Sequence, residues 1–465
     1  MTPLLALVLP LAAGCGSPPA HPGQGREDAG TPHPDAGADG ATDGHASIEL
    51  LGAPLVFAPT PAGFGVSAVV SAGEPADLGL QIQTRPAGAW TDADIAANPA
   101  PDVAQWTVTG LPPGLRVPYR LVRRGSTDPL YAGSAQTARA PGQRFTFALI
   151  ADTHIAPRDP VPAGTTAGGD AYGAMEQTML QVMPAVRAAA PDFLLNLGDL
   201  LDYHRFGFNA PPPDSAWARL AYLNYRRLLG DATANAAHFT VIGNWDGESG
   251  CNSPDEIARS TSQRLLYAPG PSPATYPEGG SANQDYYAFT WGDALFVVLN
   301  VMTYTPTCHL LDYDPGVPDD WTLGAAQLAW LQRTLAAATS KWRFLFIHHA
   351  VGGAAGDLAD TAYGRGGGQA AHVGEQAQIH ALMLQYGVQI FFYAHDHVFT
   401  DMVVDGVHYT LPGSAGAPWK FDETQTGYAQ YWTDSGFARV DVSPDRVQVG
   451  FISTSGETLD SFSVP

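Results

Sequence analysis

Five short polar clusters carry most of what could do chemistry in this chain. They are Asp152-Thr153-His154, Gly198-Asp199-Leu200-Leu201-Asp202, Gly243-Asn244-Trp245-Asp246, His348-His349 and His395-Asp396-His397. Carboxylate, imidazole and amide oxygen together suit a borderline metal ion such as zinc, iron or manganese. Two histidines at i and i+2, as in His395 and His397, can reach two different ions. An aspartate such as Asp199 can bridge two cations with its two oxygens.

Each cluster sits directly behind a short apolar run: Phe145–Ile150, Phe193–Leu197, His238–Ile242, Phe344–Ile347 and Val388–Tyr393. Runs of this length between breaks, such as Pro141-Gly142 ahead of Phe145, predict strands buried on both faces. In an open α/β sheet the carboxyl ends of strands are where sites are built. Between the first two runs, Met179, Val182, Met183 and Val186 share one face of a helical pattern from about Ala174 to Ala190, which Pro191 ends. In the insert from Tyr203 to Gly230, the spacing of Trp217, Leu220, Leu223 and Leu228 predicts a second helix packed on the core.

In this order and spacing the five clusters resemble the calcineurin-like metallophosphoesterases, which include the purple acid phosphatases. The family pattern is DxH, GDxxD, GNH followed by D or E, a lone His after a strand, and GHxH. The likeness runs from about Phe145 to the C-terminus and takes in Tyr286-Tyr287-Ala288-Phe289 and Gln327-Leu328-Ala329-Trp330-Leu331. It implies a four-layer α/β/β/α sandwich with a dinuclear site of Fe, Zn or Mn. One ion would take Asp152, His154, Asp199 and His397, and the other Asp199, Asn244, His348 and His395, with Asp199 bridging. Two ions about 3.5–4 Å apart would hold a phosphate ester and activate the water that attacks it in line, with no covalent enzyme intermediate. His349 would touch substrate or support a ligand, and Ala350 stands where the family usually has Pro. Asp246, like Asp202 and Asp396, would orient a ligand or a backbone turn.

Two departures from the pattern matter. Purple acid phosphatases place a tyrosine where Asp202 stands here, so the resemblance implies a site with no tyrosinate colour, His154 filling that ligand place. The family's GNHD or GNHE has become Gly-Asn-Trp-Asp, with Trp245 for the histidine that contacts the phosphoryl group and helps the leaving group depart. An indole cannot give up a proton in that role, and general acid catalysis is typically worth about 10²–10⁴ in rate. Three outcomes stay open. His372, close behind the loop Gly364-Arg365-Gly366-Gly367-Gly368, could substitute, with Arg365 gripping phosphate in two places and His204 as a further candidate. The enzyme could be confined to esters with good leaving groups. Or the chain could be a surface-tethered metal- or phosphate-binding protein with a vestigial site.

The remaining sequence frames this centre. At 465 residues the chain is long for one domain, and 45% hydrophobic residues supply an ample core. A net charge of −22 argues against binding nucleic acid through a basic face, so a small phosphate ester is the expected partner, drawn in by metals and a few arginines. Residues 1–15 end in Leu11-Ala12-Ala13-Gly14-Cys15 and are similar to a bacterial lipoprotein signal, with lipid attached at Cys15. That places the protein in the periplasm or at the outer membrane or cell surface, the lipid being its only tie to a membrane. Residues 16–47, rich in Pro, Gly, Ala and Asp, are expected to be a disordered tether. Residues 48–142 hold short β-rich runs (Phe64–Val70, Leu78–Gln83, Ala104–Val108, Tyr119–Val122) between Gly/Pro/Asp turns. Their Trp106–Val122 passage looks like a fibronectin type III domain, an all-β sandwich preceding the catalytic part, residues 143–465. Cys251 and Cys308 are either a disulfide or two free thiols. Oligomeric state is not written in the sequence.

Overall fold

Alternation along the central strand sets the layers. In strand Phe145–Ile150, Phe147 and Leu149 enter one apolar core, while Ala148 and Ile150 enter another. Strand Trp342–Phe346 behaves the same way, with Phe344 and Phe346 on one side and Leu345 on the other. Strands buried on both faces need a layer on each side, and the chain supplies them. The computed structural model describes residues 47–93, 95–158, 169–203, 214–276, 278–304, 322–349, 368–420, 428 and 430–465.

Strands Phe145–Ile150, Phe193–Asn196 and Ala237–Thr240 lie parallel in one sheet, whose far side continues antiparallel through Gly436–Val442, Val447–Ser453 and Thr458–Val464. The facing sheet runs Tyr287–Trp291, Ala294–Val298, Trp342–Phe346, Ile390–Phe392, Val407–Pro412 and Phe399–Val404 in spatial order. Phenylalanines weld the two together: Phe147 and Phe193 meet Phe296 edge-on at 5.3 and 5.2 Å, and Phe239 stacks on Phe289 at 4.2 Å. Aromatic pairs of this kind add about 0.5–1.5 kcal/mol each beyond their burial.

Helices Gly169–Ala188 and Ser215–Leu229 cover the first sheet, through Met179, Val182, Met183 and Val186 from one and Trp217, Leu223 and Leu228 from the other. Helices Gly324–Ala337 and Gly368–Gln385 cover the second with Leu331, Leu335, Ile379 and Met383. The four layers are the α/β/β/α sandwich expected from the sequence. The first helix begins at Gly169 rather than near Ala174, because its opening residues are small and polar and carry no apolar period. The second begins where Asp214 accepts the Trp217 amide at 2.8 Å, an N-cap.

From Glu49 to Gln136 the described residues form strands and one short 3₁₀ turn. They make a four-stranded sheet (Thr91–Asp92, Leu78–Ile82, Arg116–Arg123, Pro129–Gln136) and a second group that extends the catalytic sheet. Strand Leu55–Thr60 pairs parallel with Ala237–Thr240, Phe57 opposite His238. The junction is also tied by buried polar groups. Arg226 donates to the Ser67 carbonyl at 2.7 Å and its hydroxyl at 3.0 Å, Tyr119 to the Ala234 carbonyl at 2.8 Å, and Tyr276 to the Pro59 carbonyl at 2.7 Å. Among the described residues no helix is long and apolar enough to cross a membrane. Cys251 is disulfide-bonded. Cys15, Cys308, His204, Arg365 and residues 16–46 of the tether lie outside the described residues.

Candidate metal centre

The strand ends turn back sharply, and the backbone shows it. Asp152, His154, Asp199, His395 and His397 have φ of 53°, 47°, 52°, 78° and 60°, half of the ten described non-glycine residues with positive φ. Left-handed backbone costs a non-glycine residue about 1–3 kcal/mol where context enforces it, and such strain gathers at functional sites. Here it turns the backbone at the strand ends, where these side chains gather beyond the sheets.

That point is crowded with acceptors. Asp199 Oδ1 accepts the Trp245 amide at 2.7 Å, which leaves Oδ2 at 3.3 Å from His348 Nε2 and 3.5 Å from His154 Nε2. His397 Nε2 is 3.5 Å from Asp152 Oδ1. Asn244 Oδ1 lies 3.1 Å from His348 Nε2 and 3.2 Å from His395 Nδ1. Two groups of side chains have ligand atoms close enough to share an ion: Asp152, His154, Asp199 and His397, and His348, His349 and His395. Asp199 Oδ2 stands between them.

Whether these residues suit cations can be tested on their own hydrogen bonding. Both oxygens of Asp152 and both ring nitrogens of His154 are buried with no hydrogen-bond partner among the described residues. An unpaired buried carboxylate is very costly, and a cation at this place removes that cost. The neighbouring histidines are already aimed. His348 Nδ1 donates to the Leu197 carbonyl at 2.7 Å and His397 Nδ1 to the Trp419 carbonyl at 2.9 Å, so each turns its Nε2 inward. Charge does the rest. Burial drives His154 down to about 3, whereas burial of His348 is overcome by Asp199 and Asp152, which lift it to about 9.

Asp246 also holds the loops. Its Oδ2 accepts the amides of Asp199 at 3.0 Å and Gly243 at 2.8 Å, and its Oδ1 that of Leu201 at 3.1 Å. Burial and the Asp199 charge raise it to about 7. The motif glycines are steric necessities. A Cβ on Gly243 would lie 2.2 Å from Asp199 Oδ1, and one on Gly198 2.7 Å from His348 Nδ1.

Of the residues named from sequence, the seven expected ligands converge. His349 joins them, its ring 3.9 Å from that of His395. Asp202 Oδ1 is 3.9 Å from His154 Nδ1. Asp396 accepts the Tyr428 hydroxyl at 2.6 Å. His372 falls within helix Gly368–Gln385, and its side chain lies outside the described residues.

Sequence reading missed the loop after strand Val407–Pro412. Ala415 and Ala417 donate backbone amides to the Ala151 and Asp152 carbonyls at 2.9 Å, and a Cβ on Gly416 would lie 2.1 Å from the Thr153 oxygen. The loop delivers Trp419, whose ring is 5.0 Å from His154 and 5.4 Å from His397, opposite Trp245 at 5.4 Å from His154. It also delivers Lys420, which donates to the Ala417 carbonyl at 3.0 Å and Ser435 Oγ at 3.2 Å. Burial lowers its ammonium to about 8, with Asp152 pulling upward. The signal for this loop was Gly413-Ser414-Ala415-Gly416, a sixth small and polar cluster behind an apolar strand.

A family model described as calcineurin-like phosphoesterase matches residues 145–399. Among solved structures, the chain is similar to PhoD, with 13% identity, 89% of each chain covered and a TM-score of 0.63. Residues from Phe145 onward are about 69% of the sequence, so that likeness of fold reaches into the N-terminal strands. A dimetal phosphatase from Danio rerio is similar over 69% of this chain and 98% of its own, at 15% identity and TM-score 0.45. GAP50, the anchor in the inner membrane complex of Plasmodium, covers 69% and 88% at 15% identity and TM-score 0.40. No curated protein matches.

Proposed function

The chain belongs to the calcineurin-like phosphoesterases, and on that footing we propose that it hydrolyses small phosphate esters by direct in-line displacement at two metal ions. The observation that carries this reading is Asp199 Oδ2, 3.3 and 3.5 Å from one histidine of each ligand group. Asp152, His154 and His397 would complete one position, and Asn244, His348 and His395 the other, with His349 beside it. When bound, the cations supply positive charge for the phosphoryl oxygens and lower the pKa of a water.

The protein's own part is orientation and restraint. Asp246 fixes the two loops that carry Asp199 and Asn244. The carbonyls of Leu197 and Trp419 hold the proton on the outer nitrogens of His348 and His397. Trp245 puts no proton donor for the leaving group at its position. The substrates we propose are therefore esters whose leaving group departs as an anion, such as aryl esters.

Trp245 also supports a second reading, a binding protein whose site no longer turns over. The strained backbone at five ligands weighs against it, because drift relaxes strain that serves nothing. The disulfide at Cys251 supports an oxidising compartment and with it the export read from the sequence; an anchor at Cys15 is part of the same proposal. Hydrolysis of an aryl phosphate monoester and its matched diester by manganese- or zinc-loaded protein, with Asn244→Ala as control, tests the proposal. Turnover lost in the control upholds it. Two bound ions with neither ester cleaved favours the binding protein.

A further inference from the structure

The side-chain amide of Asn244 has two orientations, and the chain offers them unequal partners. With oxygen inward, Oδ1 faces His348 Nε2 and His395 Nδ1 at 3.1 and 3.2 Å, the orientation in which it can serve as a ligand. The amide nitrogen then lies 3.1 Å from the Trp245 indole Nε1, one N–H donor against another. Turned over, the nitrogen donates to Asp199 Oδ2 and His395 Nδ1 at 3.2 Å and, when the His348 ring is neutral, to its Nε2 at 3.1 Å, while the oxygen accepts from Trp245 Nε1 at 3.1 Å. An indole nitrogen can only donate. Trp245 therefore favours the orientation that withholds the ligand oxygen.

We propose that Trp245 is a positioning residue that sets how tightly the second metal ion is held. Resting on the two-metal reading above, the inference is that the position served by Asp152, His154, Asp199 and His397 fills first. The position that needs Asn244 Oδ1 fills later, because the amide must turn against the indole. At limiting metal the protein carries one ion.

Calorimetric titration of the metal-free full-length protein with Mn²⁺ or Zn²⁺ tests this, with bound metal counted after dialysis at fixed free concentrations. Native protein is expected to show two dissociation constants at least tenfold apart. Trp245→Phe removes the N–H and keeps an apolar ring; Trp245→His offers an acceptor nitrogen. Each should tighten the weaker site by roughly tenfold, the scale of one unfavourable buried polar contact, and leave the tighter site unchanged. In an Asn244→Asp background, where an oxygen faces both ways, Trp245→Phe should bring no gain. Equal native affinities, or a weaker site that neither Trp245 variant tightens, overturn the proposal while the two-metal reading stands. Fewer than two ions in every protein at saturating metal overturns both.

Discussion

Asp246 grips Asp199 by its backbone: the carboxylate Oδ2 takes the Asp199 amide at 3.0 Å and, on the same oxygen, the Gly243 amide at 2.8 Å. One buried side chain thus sets the distance between the loop of Asp199 and the loop of Asn244. Asp246→Asn would turn an amide NH₂ toward at least one of these N–H donors. Metal affinity is expected to fall about 10–100-fold and stability by about 1–3 kcal/mol. Competition with a metal chelator and a thermal melt of the metal-free protein read the two effects separately.

Removing the bridge itself should be worse. Asp199→Ala is expected to bind at most one ion and to lose more than the roughly hundredfold that a supporting residue costs. Elemental analysis beside aryl phosphate turnover measures this, and two retained ions with near-native turnover would sink the bridging assignment.

Leaving-group dependence follows from Trp245. Among esters, rate should fall steeply as the leaving group becomes more basic, with aryl well above alkyl. Trp245→His, which restores a proton donor at that position, should raise alkyl ester turnover by up to about 10²-fold and change aryl turnover far less. A native enzyme with a flat response across leaving groups would count against this.

A pH effect on stability should come from His238, which is fully buried beneath the junction with the N-terminal strands. Its Nε2 pairs with the Tyr225 hydroxyl at 2.9 Å. Burial, helped by Arg226, lowers it from 6.5 to about 3. The folded protein keeps this ring neutral while the unfolded chain protonates it. Its contribution is therefore complete above about pH 6.5 and is lost as pH falls toward 3, at about 1.4 kcal/mol per unit. His238→Gln should flatten the acid limb between pH 6 and 4 in urea melts of the metal-free protein. Parallel curves for the two proteins would rule His238 out as the source.

Reduction of the Cys251 disulfide is expected to cost about 2–4 kcal/mol. A lowered melting temperature in reductant, reproduced by Cys251→Ser and absent from further reductant treatment of that variant, is the check.

The catalytic sheets were legible because strands buried on both faces leave unbroken apolar runs, and Phe145–Ile150 begins and ends where those runs predicted. The expected ligands were legible because each stands at a strand end. What escaped was whatever lacked a period or a charge. The loop carrying Trp419 and Lys420 shows in the sequence only as the small cluster Gly413–Gly416 behind a strand, and its amides on the Ala151 and Asp152 carbonyls reveal its place. His349 has a sequence position beside a ligand, but its approach to His395 depends on a distant strand. The pairing of Phe57 with His238 left no trace either, since a parallel partner far along the chain is chosen by packing and not by local pattern.

That pairing makes the N-terminal strands a seal. Without them, strand Ala237–Thr240, immediately upstream of the loop that carries Asn244, would become a bare edge whose unpaired amides and carbonyls invite another chain. A chain begun at residue 143 would trade a stable enzyme for a template for aggregation. A replacement for the front of this molecule would therefore have to bring its own strand to that edge.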